Sequence, residues 1–550
     1  MNSDIEIKVL SSLAKVFLDR IYGGEETEAT AAAGQEICFQ LAMRRVAKEA
    51  YAQKPYTVTV DSALAEHITL SRVGYVPSEL PAYTGETAHD DNYLTLESGL
   101  FPDPLFPVVD GIFLVNTLKW HSLWVSVKLP SDVSAGVYPI TLKIAEGEKV
   151  TEVTYTLSVK PFALPAQSLI FTQWFHVDCI ADVHQVAIYS EEHWALIEKY
   201  MRLAKDHGMT MIYTPVLTPA LDTAVGGERP TVQLLGIKKY GAKYEFDFER
   251  LRRYIKLAQG CGYEYFEISH FFTQWGAHFT PKVMAEVDGK TEKIFGWQTP
   301  AESAEYADFL NQLIPALTAE LTSLGIAKDH IYYHVSDEPN FNHLESYRKA
   351  SGTLRPLIDG CHHLDALSDI DFHREGLVET SVVATNKIEP FLDASIENLW
   401  CYYCCSQAVD VANRFLAMPS ARNRIIGVQL YKYGIKGFLH WGYNFYNARW
   451  SAYKINPYCV TDAGAGFPSG DAFSVYPHED GVIPSLRIKV FKNALEDMRL
   501  LSLLEEKIGR DAVISALDRI AGMEITFRRY PKDDEFFTRL YDFIFEELLK

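Results

Sequence analysis

What most constrains this chain is a rhythm. From about residue 168 to about 445, short apolar runs alternate with stretches of helical spacing. The runs lie near 169–174, 209–214, 264–269, 331–336, 361–366, 379–384, 398–403 and 436–441. Between the first two, EEHWALIEKYMRLAKDHG reads as an amphipathic helix closing on Gly208, and further helices are expected over 302–324 and 422–433. Strands buried on both faces and separated by helices run parallel. Eight of them in about 280 residues predict a (β/α)8 TIM-type barrel. An open doubly wound sheet is the alternative, but no glycine-rich phosphate turn follows the first run.

The flanks read differently. In LWVSVKL, Leu123, Val125 and Val127 share a face; so do Tyr138, Ile140, Leu142 and Ile144 in GVYPITLKI, and Tyr155, Leu157 and Val159 in TYTLSVK. Antiparallel strands of this kind predict a β-sandwich over residues 1–165, with the alanine-rich stretch 31–50 as an inserted helix. KPFALPAQ, residues 160–167, reads as a linker because its prolines break regular elements. The catalytic barrel is then expected over 166–485. Residues 486–550 supply its last helix and a small C-terminal helical region, with helices near 510–522 and in DEFFTRLYDFIFEELLK.

Composition excludes some functions. A net charge of −20 argues against nucleic acid and anionic membranes as partners. No stretch reaches about 18 apolar residues, so no membrane span is expected. MNSDIEIKVLSSLAKVFLDR does not read as a signal peptide, and the eight cysteines are too sparse for a disulfide scaffold. Together these predict a cytoplasmic protein. Cys401, Cys404 and Cys405 in CYYCCS have no second pair at zinc-site spacing and are expected as small buried hydrophobes. His176 and Asp178 could pair on a metal, but no third ligand is apparent; neither metal nor cofactor is expected.

The chemistry is signalled by HIYYHVSDEPN, where Asp337 and Glu338 close the fourth run just before Pro339. Two acids at the end of a buried strand are costly unless water, a partner or a substrate receives them. The plain alternative is a turn acid followed by a helix-starting Glu-Pro. At a barrel's C-terminal face, paired carboxylates suit sugar hydrolysis. Insertions after the second run (TPALDTAVGGERP) and the third (HFFTQWGAHFTP) belong to the same face. The strand ends also offer Trp174, His270, Asn386, Trp400, Tyr402, Trp441, Tyr443 and Asn444 as a candidate sugar site of rings and polar groups. Acid pairs working from opposite sides of a sugar sit about 5 Å or about 6.5–9.5 Å apart and come from different strands. Neighbouring residues of one strand point opposite ways, so a bend at Ser336–Pro339 is required, with Glu338 extended because it precedes proline. Such a pair suits a mechanism in which the substrate's 2-acetamido group is the nucleophile.

On SDEP at 336–339, LWCYYCC at 399–405, GFLHWGYNFY at 437–446 and FPSGDAFSVYPHEDGVIPSLRIKVFKNALEDMRLL at 467–501, the chain resembles glycoside hydrolase family 123 and related uncharacterised bacterial proteins sharing its catalytic domain. The resemblance implies a retaining β-N-acetylgalactosaminidase without metal or organic cofactor. Asp337 would orient the acetamido group and stabilise an oxazolinium ion, and Glu338 would be general acid, then base. Trp441 would line the sugar subsite and Tyr402 would contact the acetamido group. With no leader expected, a small imported amino-sugar glycoside is the expected substrate, β-N-acetylglucosaminide included. Two other readings stay open: a glycosidase for a sugar lacking the acetamido group, with Asp178 or Asp365 as nucleophile, and a non-catalytic carbohydrate-binding protein. The oligomeric state is not legible.

Overall fold

A computed structural model describes residues 5–46, 53–85 and 87–550. Two five-stranded sheets make the N-terminal region. One orders Ile5–Ser11, Glu36–Arg45, His121–Lys128, Ile68–Ser78 and Gly99–Pro107; the other orders Glu28–Ala33, Lys149–Ala163, Gly136–Glu146, Gln53–Asp61 and Ile112–Asn116. The alternation explains why they meet. Leu123, Val125 and Val127 from one sheet share a core with Ile140, Leu142, Tyr155 and Leu157 from the other. Phe39 stacks on Tyr155 across it at 4.0 Å.

Two local expectations are corrected here. The alanine-rich stretch is not a helix: Ala31–Ala33 end one strand and Glu36–Arg45 form the next, while residues 47–50 lie outside the described residues. The small side chains suit a strand wedged between two cores, for Ala31 packs into the sheets and Ala32 against the barrel. Nor does Pro161 end its strand. Pairing with Glu28–Ala33 skips from Lys160 to Ala163, so the proline sits in an irregularity where no ladder bond is asked of it.

All eight apolar runs form one parallel sheet. We label them β1 (Ile170–Gln173), β2 (Met211–Thr214), β3 (Tyr265–Ile268), β4 (Ile331–Tyr333), β5 (His362–Leu367), β6 (Thr380–Ala384), β7 (Trp400–Tyr402) and β8 (Gly437–His440). The order is β1-β8-β7-β6-β5-β4-β3-β2. At the remaining seam, between β1 and β2, Thr210 donates its N–H to the Phe171 carbonyl at 2.9 Å and accepts the Phe171 N–H on its hydroxyl at 2.9 Å. The result is a nearly closed barrel with helices outside. Glu191–Asp206 turns Trp194, Ile197, Tyr200, Met201 and Ala204 inward, and Ser190 caps it by accepting the His193 N–H. The insertions after β2 and β3 build a four-stranded sheet from Gly236–Tyr240, Lys243–Asp247, Val283–Val287 and Lys290–Phe295. No helix among the described residues is long and apolar enough to cross a membrane.

The N-terminal region is bound to the barrel by buried charge. Asp103 receives Arg487, from the 23-residue helix Leu486–Ile508, through two bonds of 3.0 and 2.8 Å. Asp90 receives Arg422, from the five-residue helix Ser420–Arg424, at 2.8 and 2.7 Å.

Candidate active site

The site rests on charges inside the barrel. Glu267, in β3, accepts hydrogen bonds from the Thr172 hydroxyl, from Trp174 Nε1 at 2.7 Å and from His334 Nε2 at 2.6 Å. His334 donates its other nitrogen to Asp365, in β5, at 2.8 Å. Burial alone would lower the His334 pKa, but the bonds to Asp365 and Glu267 outweigh it and push the imidazole up to about 9. The imidazole is therefore a cation at neutral pH, bonded on its two sides to Glu267 and Asp365. Asp365 also accepts the Val335 and Ser336 N–H groups at 3.2–3.3 Å and the Tyr347 hydroxyl. This anchors the backbone leading directly to Asp337.

Glu338 is where the chain turns. Its φ is +42°, left-handed, and not the extended conformation expected before Pro339. That conformation is costly for a non-glycine residue and is met mainly where surrounding contacts enforce it. Here the Trp275 N–H holds the Asp337 carbonyl at 3.0 Å, and the Tyr402 hydroxyl donates to Glu338 Oε1 at 2.6 Å. The turn brings two neighbouring side chains onto one cleft, which an extended strand would have divided between opposite faces.

The cleft opens at the C-terminal end of the barrel, with about 620 Å³ of free space, open solvent included. Trp174, Trp275, Tyr402, Trp441 and Phe467 give it rings; Asp222, Asp337 and Glu338 give it acids; Cys404 and Cys405 line it as well. Trp441 is fixed by its Nε1–H on Asp471 at 2.8 Å and by an edge contact with Phe467. Burial pushes Asp337 well above the usual carboxylate range, the Glu338 charge adds to this, and His334 opposes it. Glu338 is also pushed up by burial, with the Tyr402 hydroxyl opposing. Two acids so placed hold one proton between them more readily than none. A larger pocket, about 1120 Å³ with its open solvent included, lies between the N-terminal sheets and the C-terminal helices, and no barrel strand lines it.

Of the residues expected at the sugar, Asp337, Glu338, Trp174, Tyr402 and Trp441 line the cleft, with Tyr402 bonded to Glu338. Five others do not. Trp400 shares a face with Tyr402 but lies one layer lower, against Tyr332 and over Gly437, where a Cβ would come within 1.9 Å of the indole. Tyr443 stacks on Phe175 and donates to the Tyr200 carbonyl. Asn444 ties down the His176 backbone at 2.9 and 3.0 Å. His270 stacks on His334 at 4.1 Å, and its pKa is lowered by burial and by the His334 charge. Asn386 accepts a hydrogen bond from Gln407 away from the cleft.

The supposed metal pair is otherwise engaged. Arg229 forms bonds of 2.9 and 2.7 Å to Asp178 and donates to His176 Nδ1 at 3.1 Å. This also removes Asp178 as a nucleophile, and Asp365 is spent on its anchoring bonds below the cleft. His270, His334 and Asp365 bring ligand atoms within 4.8 Å of one another. The two rings are stacked, however, so their in-plane lone pairs run side by side instead of converging. Missed from sequence were Asp222 and Phe467 on loops, and the Glu267–His334–Asp365 chain, whereas Trp275 lies in the insertion HFFTQWGAHFTP, which was expected on this face. A lone acid inside the apolar strand YFEI was the available signal for Glu267.

This network predicts a stability signature. His334 is protonated in both folded and unfolded chains below about pH 6.5, so its contribution is complete there. It is lost as pH rises from about 6.5 through the folded value of about 9. A shift of this size corresponds to about 3 kcal/mol. Denaturant midpoints should fall between those pH values, and fall less in His334→Gln. Equal slopes would mean that the imidazole is neutral in the fold.

Residues 174–504 match the family profile described as glycoside hydrolase 123, catalytic domain. No curated protein matches the chain. A family 123 glycoside hydrolase from Clostridium perfringens, solved for the details of glycolipid glycan hydrolysis, superposes with a TM-score of 0.74 at 13% identity over 99% of this chain and 98% of that one. A Bacteroides ovatus GH5 xyloglucanase in complex with a XXXG heptasaccharide gives 0.31 at 7% identity, over 89% of this chain and 100% of the other. The endo-β-1,4-mannanase from Thermotoga petrophila gives 0.35 at 13%, over 61% and 77%. At those scores the last two carry no argument.

Proposed function

The chain belongs to glycoside hydrolase family 123, and on that premise we propose that it removes terminal β-linked N-acetylhexosamine with retention of configuration, β-N-acetylgalactosamine above all. Its fold is then read as a β-sandwich (1–165), a (β/α)8 barrel (166–485) and a last barrel helix with a small helical region (486–550). The observation that carries the activity is the adjacent pair, Asp337 and Glu338, turned onto one side of one cleft. Acids so close together cannot attack a sugar from opposite faces, so the nucleophile comes from the substrate.

The 2-acetamido oxygen attacks the anomeric carbon while Glu338 protonates the departing oxygen. Tyr402 occupies Glu338 Oε1 as a donor, which leaves the other oxygen to carry the proton. Asp337 accepts the acetamido N–H and faces the positive charge of the oxazolinium ring. A hydrogen bond donated to a carboxylate favours its ionised form, so substrate binding draws the shared proton towards Glu338. Water, deprotonated by Glu338, then opens the ring. Trp441 and Trp174 offer flat walls to the sugar.

A second reading rests on Asp222, the other acid on the cleft. Burial raises its pKa to about 6, and it accepts the Trp450 N–H at 2.7 Å. With that group as nucleophile, a sugar lacking the acetamido group would be cleaved. The test of function is proton NMR on nitrophenyl β-N-acetylgalactosaminide. The β-anomer of free N-acetylgalactosamine should appear first; an initial α-anomer, or no release, would refute the proposal.

A further inference from the structure

We propose that Trp275 is the platform of a second sugar subsite, on the leaving-group side of Glu338, so that the substrate is an oligosaccharide whose penultimate ring stacks on this indole. The inference rests on the activity proposed above and adds what lies beyond the cleaved bond.

Three observations support it. Trp275 lines the same cleft as both acids, yet it is 41% exposed, whereas Trp174 in the cleft floor is 2% exposed. A ring stacked on it would have one face on the protein and one in water, as the outward part of an end-cleaved glycan requires. Its backbone is coupled to the acids, since the Trp275 N–H holds the Asp337 carbonyl at 3.0 Å. The indole also stands in a strained loop, with φ of +56°, +115° and +53° at Trp275, Gly276 and Ala277. Left-handed non-glycine residues are strained and tend to mark functional sites. Gly276 permits the turn: a Cβ there would come within 2.8 Å of the His278 and His343 rings. The loop therefore packs against the turn that follows Glu338, and the indole stays at the rim when it could have collapsed into the core.

The test compares Trp275→Ala and Trp275→Phe with the unaltered chain, using Tyr240→Ala, an exposed ring elsewhere, as control. Two readouts are needed. One is kcat/KM on a disaccharide with terminal β-linked N-acetylgalactosamine. The other is Ki for an N-acetylgalactosamine-derived thiazoline, which fills only the subsite of the cleaved sugar. Trp275→Ala should lower kcat/KM about tenfold and leave Ki within about twofold, and Trp275→Phe should recover most of the loss. Equal losses in both readouts, or no loss in kcat/KM, would overturn the subsite. If the unaltered chain neither binds the thiazoline nor cleaves the disaccharide, the activity proposed above has failed instead.

Discussion

Glu338→Gln should slow hydrolysis of substrates with poor leaving groups by about 10²–10⁴-fold, the usual contribution of a general acid. Glutamine keeps the shape and can still accept the Tyr402 hydroxyl, so the loss isolates the proton. A nitrophenyl glycoside, whose leaving group hardly needs protonation, should lose much less in the first step. Azide, which attacks without a base, should restore its turnover. The pH profile carries a second signature. The proposed mechanism requires Asp337 ionised and Glu338 protonated, and both are pushed above the ordinary carboxylate range. A bell is therefore expected, with its alkaline limb absent from Glu338→Gln. Equal losses on both substrates without azide rescue would take the acid role from Glu338.

Asp337→Asn is expected to lower kcat roughly 10²–10³-fold, the scale of removing one preorganised electrostatic contact to the transition state. KM should move little, because on the proposed mechanism the charge that Asp337 faces develops only during reaction. The companion measurement is mass spectrometry after incubating the unaltered chain with a 2-fluoro glycoside that lacks the acetamido group. No sugar should become attached. An adduct on Asp222 would replace substrate assistance with an enzyme nucleophile.

The barrel and the acid pair were legible because both are local. Each strand announces itself by a short apolar run, and Asp337 and Glu338 adjoin a proline at the end of one. The conformation of Glu338 was not legible. Proline alone favours an extended neighbour, and it is the bonds from Trp275 and Tyr402, residues 63–64 positions away in sequence, that accompany the opposite outcome. The rings were over-predicted for a related reason. Strand-end position was read as cleft position, yet Trp400 opens β7 and so belongs to a lower layer than Tyr402. Beyond β8, Gly442 presses against Ala472, where a Cβ would come within 2.4 Å of the carbonyl. The chain has left its strand by then, so alternation no longer says which way Tyr443 points. Asp222 and Phe467 come from loops, whose path no periodicity encodes.

The ion pairs of Asp103 with Arg487 and Asp90 with Arg422 bear on how this protein can be divided. The family match begins at residue 174, which invites treating the barrel as a module. A chain starting there would lose both counter-ions and would also uncover apolar surface, since Leu13, Phe17, Val76 and Phe101 pack into the same core as the barrel. Uncovered apolar surface costs about 25 cal/mol per Å². Against the stability of a typical domain, about 5–15 kcal/mol, a few hundred Å² is a large loss. The catalytic portion is therefore not a transplantable part. A graft of this barrel beneath a foreign N-terminal region would have to bring Asp90 and Asp103 with it, or replace both arginines.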